Sequence, residues 1–87
     1  MPYAVTFKAS ALKQLEKLSR PLARRLFTRA SALGDHPRAP GHVKLAGAAN
    51  LYRVRVGDYR IVYAIDDNAK VIDVRIVAHR RDVYRGL

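Results

Sequence analysis

The chain has 87 residues, no cysteine, and 17 Lys+Arg against 7 Asp+Glu, for a formal net charge of +10. That length suits one domain, residues 1–87, with a small core; the missing cysteines exclude a disulfide framework and a thiolate metal site, and a 49% apolar share excludes a disordered basic tail. So positive a field favours polyanions, nucleic acid first among them, with an acidic protein partner or an anionic membrane as the alternatives.

Tyr3, Val5 and Phe7 alternate with Ala4 and Thr6, which predicts a short first strand. No charged region followed by an apolar run opens the chain, and no stretch approaches a membrane span of about 18 apolar residues, so a soluble cytoplasmic protein with no membrane partner is expected. Ser10 is the expected N-cap of a helix that buries Leu12, Leu15 and Leu18. Arg20-Pro21 then opens a second helix with Leu22, Leu26, Ala30 and Leu33 on one stripe and Gly34 as its C′ stop. This second helix carries Arg24, Arg25 and Arg29 off the stripe. Solvated charge is the ordinary reading of such arginines and phosphate contact the sharper one; the sequence does not separate them. Residues 35 to 50 are rich in Pro, Gly and Ala without periodicity, so a long loop is expected there. His36 and His42 fall in it at a spacing that fits no metal site.

From Leu51 the pattern becomes strict. Tyr52, Val54 and Val56 point one way, Arg53 and Arg55 the other. Gly57-Asp58 is a two-residue hairpin signal that pairs Val56 with Tyr59, and so sets Arg55 opposite Arg60 and Arg53 opposite Val62. Tyr59, Ile61, Tyr63 and Ile65 form the core face behind them. Directly opposed like charges cost a sheet a few tenths to about 1 kcal/mol, and a segment that accepts this is suited to holding an anion. After a turn at Asp66–Ala69, a last strand over Val71–Ala78 is expected, with Ile72, Val74 and Ile76 facing the core. If the alternation persists, Asp73, Arg75, Val77 and His79 share the arginine face, and Arg80, Arg81 and Tyr84 follow just beyond it. The order is β-α-α-β-β-β: an α+β domain with a mostly antiparallel four-stranded sheet, an N-terminal αα-hairpin covering it and a short C-terminal helix.

One face would thus combine several guanidiniums, an imidazole and a phenol. RNA cleavage by its own 2′-hydroxyl needs a base for that proton, cations for the phosphorane-like transition state and an acid for the departing 5′-oxygen, with no metal or other cofactor. Arginine suits the middle role and is a poor base; histidine is the ordinary proton carrier at neutral pH. The plainer readings are that Arg75 or Arg53 pairs with Asp73, that Asp82 satisfies Arg80 or Arg81, and that His79 is a structural hydrogen-bonding residue.

The element order and the run KLAGAANLYRVRVGDYRIVYAID…VIDVRIVAHRRDVY resemble the RelE/ParE toxin superfamily of bacterial toxin–antitoxin systems across essentially the whole chain. The most specific parts are GDYRIVY and HRRDVY. The resemblance to RelE-type members implies a ribosome-dependent endoribonuclease that cuts messenger RNA in the decoding (A) site. It assigns the catalytic positions to Arg53 and Arg55, Arg60, Arg80 and Tyr84. The best-studied pattern has lysines at the first two of these, and arginine does not release a proton, so His79 is the expected substitute for proton transfer. Arg60 and Arg80 are then expected to hold the scissile phosphate and Tyr84 to orient the nucleotide. Lys44, Arg24, Arg25, Arg29, Arg75 and Arg81 are expected to grip RNA. The resemblance further implies a cognate RelB-like antitoxin that wraps the toxin, with promoter DNA bound only through that complex. A ParE-like toxin that binds and poisons DNA gyrase is the alternative on the same fold.

Overall fold

A computed structural model describes residues 2–45, 47 and 50–82 of the chain. Among them the elements run β1 (Ala4–Phe7), α1 (Ala9–Glu16), α2 (Arg20–Ala32), β2 (Val43–Lys44), β3 (Leu51–Val56), β4 (Tyr59–Asp66) and β5 (Val71–His79). The strands form one sheet in the order β1-β5-β4-β3-β2, antiparallel throughout except where β1 runs parallel to β5. The α+β class and the covering helical hairpin are as expected; the sheet has five strands, because Val43 and Lys44 pair with Arg53 and Tyr52 inside the segment read as loop. The expected C-terminal helix lies mostly outside the described residues; Arg80, Arg81 and Asp82 form a turn.

The core sits between the helices and one face of the sheet. Leu26, Ala30 and Leu33 from α2 and its end, with Ala11 and Leu15 from α1, meet Val54, Val56, Ile61, Tyr63, Ile65, Ile72, Val74 and Val77. This apolar burial is the main driving force for the fold. The stripe expected on α2 is the one observed.

α1 departs from expectation at both its start and its face. Lys8, not Ser10, takes the cap position: its N–H donates to the Val74 carbonyl at 2.8 Å, and its own carbonyl accepts the N–H groups of Ala11 and Leu12. The end of β1 fixes the first turn, so no side-chain cap is needed. With that start, Ala11, Leu15 and Leu18 share the inner stripe at i, i+4 and i+7, and Leu12, expected in the core, is 42% exposed.

Gly34 does stand just past α2, but its backbone is not left-handed; among the described residues the positive-φ glycines are Gly41, Gly47 and Gly57. Glycine is required there by close approach. The Tyr3 N–H donates to the Gly34 carbonyl at 2.7 Å, and a Cβ at Gly34 would stand 2.6 Å from the Tyr3 carbonyl oxygen.

Candidate nucleic-acid interface

The β3–β4 hairpin has the register set by its turn. Val56 pairs with Tyr59, Arg55 with Arg60 and Arg53 with Val62, and Gly57 takes φ +60 as the tight turn demands. Val54, Val56 and Ile61 are buried against the helices, so alternation sends Arg53, Arg55 and Arg60 to the distal face. Arg60 is half-buried, and its guanidinium Nη1 donates to the carbonyls of Gly57 at 3.2 Å and Tyr59 at 3.0 Å. The backbone N–H of Arg80 donates to the carbonyl of Asp58 at 2.7 Å. Arg60 and Arg80, twenty positions apart in sequence, are therefore anchored to adjacent carbonyls of one turn. Arg25 joins them from α2: its guanidinium lies 3.8 Å from where a side chain at Gly57 would begin. Four basic residues, Arg25, Arg55, Arg60 and Arg80, thus converge on one end of the sheet.

The last strand breaks the expected alternation. Val62 pairs with Ile76 but Tyr63 pairs with Val74, so Arg75 is an extra residue, a β-bulge, in β5. A one-residue slip exchanges the two faces of everything beyond it. Val77, expected on the arginine face, is buried in the main core; Ile76, expected in that core, packs with Val62, Ala78 and Leu45 on the distal face. His79 moves too. It pairs with Tyr59, the two rings meeting edge to face at 5.6 Å and 82°, while Ala78 takes the place opposite Arg60. His79 is thereby on the helix side of the sheet, across from the guanidiniums it was expected to join. There it lines a cleft of about 640 Å³ between α1 and β5, with Lys8, Ser10, Gln14, Lys17 and Tyr59.

The remaining expected contacts divide. Arg75 pairs with Asp73 at 3.3 Å, as the plainer reading held, and Thr6 Oγ1 donates to the other carboxylate oxygen at 3.1 Å. Lys44 is exposed and opposite Tyr52, hence on the helix side of edge strand β2 rather than beside Arg53. Arg24 and Arg29 are exposed on α2, and Arg81 is exposed in the final turn. Tyr84 lies outside the described residues. No group of His, Asp and Glu able to hold a metal ion occurs among the described residues, and no helix there is long and apolar enough to cross a membrane.

A family model described as the ParE toxin of the type II toxin–antitoxin system parDE matches residues 5–84. The chain belongs to this toxin family. Among its relatives, Toxin RelG of Mycobacterium tuberculosis is 35% identical over 98% of this chain and 99% of its own length, and Toxin RelE of the same organism is 32% identical over 97% and 88%. The toxin–antitoxin complex RelBE of Mycobacterium tuberculosis superposes with a TM-score of 0.81 at 29% identity, covering 92% of this chain and 100% of the matched one. The RelE–RelB complex of Pyrococcus horikoshii gives 0.80 at 30%, covering 92% and 97%. The chain is thus a toxin of the RelE/ParE superfamily, by sequence and by fold.

In this RelE/ParE toxin a second polar cluster, unforeseen in the sequence, holds the loop before β2. Arg38 makes a two-point ion pair with Asp67, at 2.9 and 3.3 Å, and stands over the Tyr52 ring; Tyr3 donates to the same carboxylate at 2.6 Å. The phenol of Tyr63, pushed up to about 12 by burial, stays neutral and donates to the Pro37 carbonyl at 2.8 Å. The hydrogen bonds from Arg38 and then Tyr3 hold the Asp67 carboxyl down at about 2. A depressed carboxyl stabilises the fold above its unfolded pKa and loses that contribution as pH falls through the folded one. Asp67→Asn is therefore expected to lower Tm by a constant amount above the ordinary value of 3.8, with the gap to wild type closing toward pH 2. The pair is exposed, so the effect is small. Thermal melts of both proteins across acid pH check this; a gap that persists unchanged at the lowest pH assigns it to something other than the charge.

Proposed function

We propose that this toxin is a ribosome-dependent endoribonuclease that cuts messenger RNA in the ribosomal A site, without a metal, and so stops translation and growth. The observation that supports it most is the anchoring of Arg60 and Arg80 to successive carbonyls of the Gly57–Asp58 turn, with Arg55 directly cross-strand. In this reading the messenger's 2′-hydroxyl gives its proton to water as its oxygen attacks the adjacent phosphorus, and the bond to the 5′-oxygen breaks, that oxygen taking a proton from water. The products are a 2′,3′-cyclic phosphate and a free 5′-hydroxyl. Arg60 and Arg80 hold the non-bridging oxygens and stabilise the charge that builds on them. Arg53 and Arg55 bind neighbouring phosphates, and Tyr84 orients the nucleotide. Proton transfer by His79 at this phosphate loses its support, because the bulge places the ring on the other side of the sheet. Neither arginine releases a proton, so the toxin's contribution is electrostatic and positional. Arg25 extends the field around the turn; Arg24, Arg29, Lys44 and Arg81 contact ribosomal RNA, where loss of one contact weakens binding without abolishing cleavage.

A RelB-like antitoxin neutralises the toxin in this reading, supported by the complexes formed by its structural relatives. One observation favours a second reading: the matching family model is named for ParE, whose members the gyrase-poisoning reading draws on. Primer extension on a defined messenger in a purified translation system separates the two. Cuts within A-site codons that require ribosomes are expected. Intact messenger, together with inhibition of gyrase supercoiling by the same preparation, would establish the second reading instead.

A further inference from the structure

We propose that His79 is a positioning residue, whose ring and backbone set the direction in which Arg80 leaves the sheet. The inference rests on the nuclease reading for its functional half and on geometry alone for its structural half. Three bonds bracket Arg80. The ring Nδ1 of His79 accepts the backbone N–H of Arg81 at 3.2 Å, so one side chain spans the residue that follows it. The carbonyl of His79 accepts the N–H of Asp82 at 2.8 Å, which closes the turn. The Arg80 N–H, between them, donates to Asp58 at 2.7 Å. The ring is in turn held by its edge-to-face contact with Tyr59, the residue directly across the ladder.

An acceptor at Nδ1 requires a lone pair, so this bond exists only with the imidazole neutral and its proton on Nε2. A ring committed in this way on the helix side of the sheet does not trade protons with a substrate on the distal side. It does what an Asx side chain does in a turn, accepting the N–H two residues on. The consequence reaches the arginine face through the chain itself. Arg60 is tied to Gly57 and Arg80 to Asp58, so the spacing of the two guanidiniums depends on the Arg80 turn keeping its shape. The bulge at Arg75 is what makes this possible: without it His79 would face the substrate and its Nδ1 would lie on the wrong side of the strand.

His79→Asn retains an acceptor for the Arg81 N–H; His79→Leu retains bulk against Tyr59 and has none. Both are compared with wild type and Arg80→Ala by single-turnover cleavage of ribosome-bound messenger. Amide exchange at Arg81 and Asp82 is measured in the isolated toxin. His79→Leu is expected to expose both amides to faster exchange and to lower the cleavage rate at least about tenfold, as misplacement of a catalytic group does. His79→Asn is expected to keep the amides protected and most of the rate at neutral pH. In the double variant His79→Leu/Arg80→Ala, the loss is expected to equal that of Arg80→Ala alone, since both act on one group. An inactive His79→Asn with protected amides would overturn the proposal and return proton transfer to the imidazole. So would wild-type behaviour of His79→Leu in both assays. Absence of cleavage by wild type would overturn the nuclease reading, while the amide exchange would still decide whether His79 holds the turn.

Discussion

Arg80→Ala is expected to lower messenger cleavage on the ribosome by roughly a hundredfold or more, the loss seen when a preorganised donor to a developing oxyanion is removed. The expectation follows from the place of this residue rather than from charge alone. The chain carries 17 basic side chains, and most act as a diffuse field that salt screens. Arg80 differs in having its backbone locked to Asp58, one residue from the carbonyl that receives the Arg60 guanidinium. One fork bonded to this turn and a second carried on backbone bonded to it are suited to the oxygens of a single phosphate, and a planar fork binds two of them at once. Arg80→Lys restores the charge without the fork and is expected to recover only part of the rate. Because Arg80 is exposed, its loss should leave the melting temperature near that of wild type, which separates a site effect from unfolding. Cleavage at the wild-type rate by Arg80→Ala would remove the arginine face from the mechanism.

Gly34→Ala is expected to destabilise the fold by about 1–3 kcal/mol, the range for overpacking a filled site, and to lower Tm by about 4–8 °C for each kcal/mol in a domain of this size. The added methyl would stand 2.6 Å from the Tyr3 carbonyl oxygen and 3.1 Å from a methyl of Val5. Neither neighbour is the free end of a flexible side chain. Relief requires β1 to move away from the end of α2, which strains the Tyr3–Gly34 hydrogen bond and the parallel pairing of β1 with β5. Urea unfolding measures the change. An unaltered midpoint would mean that β1 shifts freely, and that its pairing adds little to the cooperative unit.

Local rules carried much of this molecule. Strict alternation and a two-residue turn define the β3–β4 hairpin, and its register, including the opposition of Arg55 and Arg60, is legible in Leu51–Ile65 alone. The α2 stripe was equally legible, since its period is that of the helix. The site was less so. Its arginines are local features of one hairpin and one motif, but Arg80 meets Arg60 only through a backbone bond across the sheet end, and Arg25 arrives from a helix. Nothing in the pairing of two residues twenty or more positions apart is written in either neighbourhood.

The bulge marks the boundary. A strand read in isolation alternates without interruption, so His79 falls with the arginines. The slip at Arg75 exists because β5 must meet Val62 and Tyr63 of β4 while Val77 fills the core, a demand set by packing and not by the strand's own residues. The same holds for the first helix, whose start is fixed by the Lys8–Val74 bond of the sheet, and for Val43–Lys44, which form a strand only because the edge of β3 is there to pair with. By itself, then, the sequence determined the class of fold, the helical stripe, the hairpin register and the positive charge of the arginine face, all of which depend on periodicity, turn chemistry and charge within a few residues. The tertiary structure alone decided the fifth strand, the role of Gly34, the Arg38–Asp67 pair and the side of the sheet on which His79 stands, because each depends on contacts between segments distant in the chain.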